Sequence, residues 1–88
     1  MYVLLYDYVE NMLERRAPFR AAHLDLVNEF HTAGRLTMAG ALLDPVDSAM
    51  LVFPDRASAE TFVTRDPYVA NGLVPSHRIR EWNVVVGG

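Results

Sequence analysis

The sequence contains no cysteine, which excludes a disulfide framework and a thiolate nucleophile among its 88 residues. It also lacks an apolar run approaching the roughly 18 residues that a membrane-spanning helix needs. At the amino terminus, MYVLLYDYVE has no basic region ahead of its apolar residues, and Asp7 interrupts it. This segment is therefore predicted to be a strand rather than a signal peptide. These absences lead us to expect a cytoplasmic protein that does not enter the membrane.

Positive charge is scarce as well. Eight lysines and arginines stand against eleven aspartates and glutamates, which gives a net charge of −3. Binding to nucleic acid generally requires a basic stripe or patch, and the sequence contains none. It also has no HxxE/H or CxxC spacing typical of a metal site. We therefore expect no nucleic-acid partner, no metal and no organic cofactor.

The composition is typical of a small globular protein, with 51% hydrophobic and 22% charged residues. A chain of this length is expected to fold as a single domain over residues 1–88. The last residues, 85–88, end in two glycines and are predicted to form a flexible tail.

Hydrophobic periodicity predicts alternating strands and helices. Segments rich in apolar and β-branched residues indicate four strands, at 2–9, 35–43, 48–54 and 75–86. Helical spacing indicates a long helix that starts at residue 14 or 17 and ends at 33, and a shorter one within 55–65, with Ser58 as its N-cap. The order β-α-β-β-α-β predicts an α+β, ferredoxin-like fold whose four-stranded antiparallel sheet carries both helices on one face.

The first strand is apolar on both of its faces, whereas two helices can cover only one face of the sheet. The other face is therefore expected to pack against a second copy of the chain, as a homodimeric α+β barrel. Two alternatives are a monomer with scattered apolar surface residues and a subunit that buries this face against another protein.

His23 is the first candidate for chemistry, because helical spacing places it within the apolar stripe of the first long helix. Arg16 and Arg20 flank this stripe. A titratable ring in such a position needs a hydrogen-bond partner, and a carboxylate partner would stabilise its imidazolium form. The alternative is a structural histidine that packs in the core with its hydrogen bonds satisfied and has no catalytic role.

Asp66 precedes Pro67, which is typical of an N-cap followed by proline at the first helical position. We predict a short helical turn after it, which Gly72 ends. Tyr68 either lines a pocket through its hydroxyl or packs in the core. Gly40 lies inside a predicted strand, where glycine indicates a bulge or a ligand close to the backbone.

Four segments together resemble the YCII-related domain family over nearly the whole chain: RAAHLDLV, AGRLTMAGALLD, FPDRASAETFVTRDPYVANGLV and RIREWNVV. The R..HL and DPY...GL motifs carry most of the resemblance. It implies a dimeric α+β barrel and a His–Asp active site that maps onto His23 and Asp66. Arg20 corresponds to the basic residue before the family's histidine, and Gly40 to a strand glycine. Ala41 departs from the proline common at its position.

The residues and the resemblance together favour a small enzyme that transfers protons on a small metabolite, cyclic or anionic, by isomerisation, elimination or lactone chemistry. His23 and Asp66 would be catalytic, while Arg20, Gly40 and Tyr68 would bind the substrate. The alternative is a ligand-binding or accessory module in which the His–Asp pair is structural.

Overall fold

The computed structural model describes residues 1–87. Its elements are β1 (Tyr2–Asp7), α1 (Met12–Arg15), a 3-10 turn (Ala17–Phe19), α2 (Arg20–Thr32), β2 (Met38–Leu42), β3 (Ser48–Phe53), α3 (Arg56–Arg65), α4 (Pro67–Ala70) and β4 (Ser76–Glu81). Residues 82–87 lie outside these elements, and Gly88, the end of the predicted flexible tail, is not among the described residues.

The four strands form one antiparallel sheet in the order β2-β3-β1-β4. The central strand β1 pairs along its whole length with β3 on one side and β4 on the other, and β2 lies at the edge beside β3. This is the strand order of the ferredoxin-like split βαβ unit. The predicted α+β fold is confirmed.

The prediction of one long first helix was wrong, because the structure has two helices separated by a 3-10 turn. Helix α1 already begins at Met12, and the chain then passes through a 3-10 turn with Pro18 near its start before α2 begins at Arg20. Proline has no N–H to donate and is tolerated only in a first turn, so the chain restarts a helix here rather than continuing one.

The predicted N-cap of α3 was also wrong. Asp55 caps this helix, because its carboxylate accepts the backbone N–H of Ser58 at 2.7 Å. Ser58 is a buried helical residue whose hydroxyl accepts a hydrogen bond from Nε of Arg35 at 3.2 Å. A carboxylate three residues before a serine offers the helix a stronger acceptor than the serine does.

Two strands are shorter than expected. Strand β2 begins at Met38 instead of residue 35, and β4 ends at Glu81 instead of residue 86. The segment before β2 still contributes to the core, since Leu36 is buried. Single backbone hydrogen bonds still extend the pairing past these bounds, from the N–H of Thr37 to the carbonyl of Val52 and from the N–H of Trp82 to the carbonyl of Met1, both at 2.8 Å.

The main core lies between the helices and one face of the sheet. Because side chains alternate along a strand, Leu4 and Tyr6 of β1 point to this face together with Leu51 of β3. Phe30 of α2 and Phe62 of α3 pack against these residues. The two phenylalanine rings meet each other edge to face, with centroids 5.3 Å apart. This layer fixes α2 and α3 over the sheet.

The opposite face of the sheet is not covered by any element of the described chain. It carries Leu5 and Met50 at its centre and several exposed apolar side chains around them: Met38, Leu42 and Trp82. Separately, no helix within residues 1–87 has both the length and the apolar character needed to cross a membrane.

Candidate active site

Asp66 lies at the junction between α3 and α4 and is the N-cap of α4. Its backbone is extended, with φ −72° and ψ 120°, and Oδ1 accepts the backbone N–H of Tyr68 at 3.0 Å. The capping interpretation of the Asp–Pro sequence is therefore confirmed. Pro67 at the first helical position has no N–H that would need a partner.

The same carboxylate receives two side-chain hydrogen bonds. Nδ1 of His23 lies 2.8 Å from Oδ1, and the hydroxyl of Tyr6 donates to Oδ2 at 2.8 Å. Asp66 is only 1% exposed, so protein donors replace water around it. Three donors and no nearby acceptor are the environment that an ionised carboxylate requires when it is buried.

The hydrogen bond to Asp66 determines the tautomer of His23. Since the carboxylate accepts, Nδ1 carries a proton, and in the neutral ring the lone pair is on Nε2. No described residue forms a hydrogen bond with Nε2. The ring of Tyr68 stacks on the imidazole, with centroids 3.8 Å apart and planes within 4°, and Phe62 meets it edge on at 6.3 Å. The imidazole is thus held on one edge and one face.

A cavity of about 370 Å³ adjoins this histidine, between α2 and the β2–β3 side of the sheet. Arg20, Gly40 and Tyr68 line it with His23, so four of the five predicted site residues surround one space. The fifth, Asp66, lies behind His23 and reaches the cavity only through the ring. The remaining walls are mostly apolar and include Leu24, Val27, Leu43, Val46, Ala49 and Leu51.

Two further polar residues, Tyr8 and Arg16, line the cavity. Neither was predicted from the sequence to bind a ligand. Burial, together with the nearby Tyr68 and Asp66, raises the pKa of Tyr8 to about 12, although Arg16 and Arg20 oppose this shift. Its hydroxyl is therefore protonated at neutral pH and available as a donor. A signal for Arg16 was present, because it lies on the flank of the histidine stripe.

Tyr6 was also not predicted from the sequence to be part of the site. Its hydroxyl pKa is raised far above the usual range, first by burial and then by the charge and hydrogen bond of Asp66. Tyr6 therefore stays neutral and donates to the carboxylate. Alternation along β1 placed it on the helix-facing side, but nothing local indicated that its partner would be an aspartate.

Gly40 lines the cavity with its backbone in the middle of β2. The β2–β3 register is continuous past it, with Gly40 opposite Met50, so the bulge expected as one alternative is absent. A Cβ at Gly40 would meet no atom within 4 Å in this subunit. The reason for glycine at this position therefore lies outside the contacts that the described residues make with one another.

No group of three or more histidine, aspartate or glutamate side chains within residues 1–87 is arranged to hold a metal ion. The cavity is lined by one imidazole with a free Nε2 and by two guanidinium groups, and side chains of these types can transfer a proton and bind an anion.

Comparison with solved structures defines the class of the fold. The structure of 5-chloro-2-hydroxyhydroquinone dehydrochlorinase from Burkholderia phenoliruptrix AC1100, in complex with 2,5-dihydroxybenzoquinone, matches with a TM-score of 0.75. The match covers 94% of this chain and 94% of that chain, at 20% sequence identity. The chain therefore shares the α+β fold of that enzyme, with a four-stranded antiparallel sheet and helices on one face.

The YCII-related domain model matches residues 1–83. The chain therefore belongs to the YCII-related domain family, as the sequence motifs indicated. A search of curated proteins found no significant match.

Proposed function

We propose that this protein is an enzyme that transfers a proton on a small anionic metabolite, with His23 as the acid–base group and Asp66 as the residue that orients it. The observation that carries this proposal is the free Nε2 of a histidine that is bound to a buried carboxylate and lines a cavity. A histidine that served only the core would not need to border a space of about 370 Å³.

In the proposed step, Nε2 takes a proton from a carbon or hydroxyl of the substrate. The ring becomes an imidazolium whose Nδ1–H remains bonded to Asp66, and the carboxylate stabilises the new positive charge. The electron pair left behind forms a new double bond, while an adjacent double bond shifts or a leaving group departs with the electrons of its own bond. The imidazolium then returns its proton, either to another atom of the substrate or to the solvent.

Arg20 would hold an anionic oxygen of the substrate at the mouth of the cavity, because a guanidinium donates charge-assisted hydrogen bonds in a fixed plane. Tyr68 and the backbone at Gly40 would contact the body of the ligand. The apolar remainder of the cavity suits a small ring more than a flexible polar chain.

Elimination is the form of this chemistry that the similar dehydrochlorinase favours. The proton passes to Nε2, its electron pair forms the double bond, and chloride departs with the electrons of the carbon–chlorine bond. Isomerisation and lactone chemistry use the same first step. We therefore propose substrates related to hydroxylated rings, without assigning a single compound.

The experiment measures chloride release from 5-chloro-2-hydroxyhydroquinone and isomerisation of unsaturated lactones, with His23→Gln as the test variant. His77→Gln is the matched control, because His77 lies on β4 outside the cavity. We expect turnover of at least one compound, its loss in His23→Gln and its retention in the control. Undiminished turnover in His23→Gln would overturn the proposal, as would the absence of turnover together with His23 ring signals that do not respond to 2,5-dihydroxybenzoquinone.

A second candidate function is a binding or accessory module in which the pair is structural. The observation that favours it is the position of Asp66, which caps α4 and fastens Tyr6 of the central strand as well as His23. In that case the ring would respond to ligands without any turnover.

We also propose that the uncovered sheet face binds a second copy of the chain. The apolar side chains around Met50 lie on one continuous face of the sheet, and the resemblance to the YCII-related domain family implies a dimer that forms through this face. Gly40 supports a close approach, since its missing side chain would point to this face beside Met50.

A further inference from the structure

Arg16 and Arg20 present two positive charges to the same cavity. Arg16 is the C-cap of α1 and Arg20 is the first residue of α2, on either side of the 3-10 turn, and like charges that line one cavity repel each other. Within residues 1–87, neither guanidinium is part of a salt bridge, and no aspartate or glutamate lines the cavity. The cost of this arrangement is not offset by a partner in the subunit, whereas an anion placed between the two groups would offset it.

Two tyrosines among the lining residues, Tyr8 and Tyr68, carry neutral hydroxyl donors. Tyr8 lies close enough to both arginines for their charges to act on its hydroxyl. Tyr68 is 1% exposed, and its hydroxyl is buried without a hydrogen-bond partner among the described residues. A buried hydroxyl that lacks a partner loses the hydrogen bonds that water would give it, and a ligand oxygen would restore one.

We propose that Arg16, Arg20 and the hydroxyls of Tyr8 and Tyr68 form an anion subsite that binds a carboxylate or an ionised ring hydroxyl. The ring of the ligand lies against the apolar walls, beside Nε2 of His23. This inference deepens the proposed function. It rests on that function only for the claim that His23 reacts with the ligand held here. It assigns Arg16 and Tyr8 as specificity residues, and it excludes cationic substrates.

The test compares benzoate with benzamide, two ligands of the same shape of which only the first is anionic. Binding to the intact protein is measured by isothermal titration and by NMR shifts of residues that line the cavity. We expect benzoate to bind about tenfold more tightly than benzamide, which corresponds to a charge-assisted contact. Raising the salt concentration should reduce this preference.

Arg16→Gln should lower the affinity for benzoate about tenfold and leave the affinity for benzamide unchanged. Arg15→Gln is the matched control, since Arg15 is exposed, adjacent in sequence and absent from the cavity wall. We expect its affinity for benzoate to stay at the wild-type value. Tyr8→Phe should weaken both ligands, because it removes a donor that either ligand oxygen can use.

Binding of benzoate does not depend on turnover, so this inference and the proposed function can fail separately. His23→Gln should retain the preference for benzoate over benzamide. If that preference is present but no compound is turned over, the subsite is correct and the proposed enzyme is not. Equal affinities for the two ligands in the wild-type protein, or an Arg16→Gln variant that binds benzoate as the wild type does, would overturn the subsite.

Discussion

The imidazole of His23 lies parallel to the ring of Tyr68, with the two centroids 3.8 Å apart. Tyr68 is the second residue of α4, whose N-cap is Asp66, and this same aspartate binds the histidine. A single short helix therefore supplies both the acid that orients the imidazole and the surface on which it rests. The orientation of the proposed acid–base group depends on the geometry of Asp66, Pro67 and Tyr68 as a unit.

Tyr68→Phe should keep the stacked ring and remove a buried hydroxyl without a partner. Because a shape-preserving replacement of an unsatisfied polar group is neutral or stabilising, we expect the free energy of unfolding to stay the same or rise by about 1 kcal/mol. Urea denaturation measures this change. A loss of stability would mean that the hydroxyl already has a partner in solution, and the donor assigned to the anion subsite would then be occupied.

Asp66→Asn should destabilise the protein strongly. The asparagine offers one acceptor oxygen where three donors converge, and its amide places an N–H against one of them. Hydrogen bonds to a charged group contribute more than neutral ones, so we expect a loss of about 2–4 kcal/mol, measured by urea denaturation. A loss below about 0.5 kcal/mol would show that the carboxylate is not needed for folding, and would remove the main support for the structural alternative.

The fold was predictable from the sequence because its signals are local. Apolar and β-branched residues along β1 indicated a strand, and the Asp66–Pro67 pair indicated the start of a short helix. Helical spacing placed His23 among apolar residues, where it is indeed 8% exposed. Each of these predictions needs only the residues within one element and their periodicity.

The site required contacts between distant parts of the chain, which periodicity does not contain. His23 and Asp66 are 43 residues apart in sequence, and Tyr6 and Asp66 are 60 apart. Family resemblance supplied the first pairing, but nothing in the sequence indicated the second. The prediction of Ser58 as N-cap failed for a related reason, because serine and aspartate both cap helices and only the backbone angles decide which residue does so.

Met50→Glu tests the proposed dimer. Met50 is 37% exposed at the centre of the uncovered face, so a glutamate there is tolerated by the isolated subunit. At a subunit interface it would remove a charge from water among apolar side chains, and this desolvation costs several kcal/mol. We expect the wild type to sediment as a dimer and the variant as a monomer in analytical ultracentrifugation.

Ala57→Glu is the matched control for this change, because Ala57 is exposed on α3, away from the uncovered face, and an acid in the first turn of a helix is favourable. It should remain dimeric. A monomeric wild type would contradict the dimer directly, and so would a Met50→Glu variant that still sediments as a dimer.

Tyr8→Phe should change how stability depends on alkaline pH. Burial raises the pKa of the Tyr8 hydroxyl to about 12 in the folded protein from its ordinary value of 10.0, so the unfolded chain loses this proton first as the pH rises. The unfolded state then binds fewer protons than the folded state, and the free energy of unfolding falls across the window between these two pKa values. The stabilisation from Tyr8 is complete below the lower of the two pKa values.

Tyr8→Phe removes this titrating group, so the stability of the variant should fall less steeply than that of the wild type over the same window. Tyr6, whose pKa is also raised, keeps a residual slope in both proteins. Urea denaturation at about pH 9 and about pH 11 measures the difference. Parallel losses in the two proteins would show that Tyr8 is not buried near Tyr68 and Asp66, and that it is not positioned to donate within the subsite.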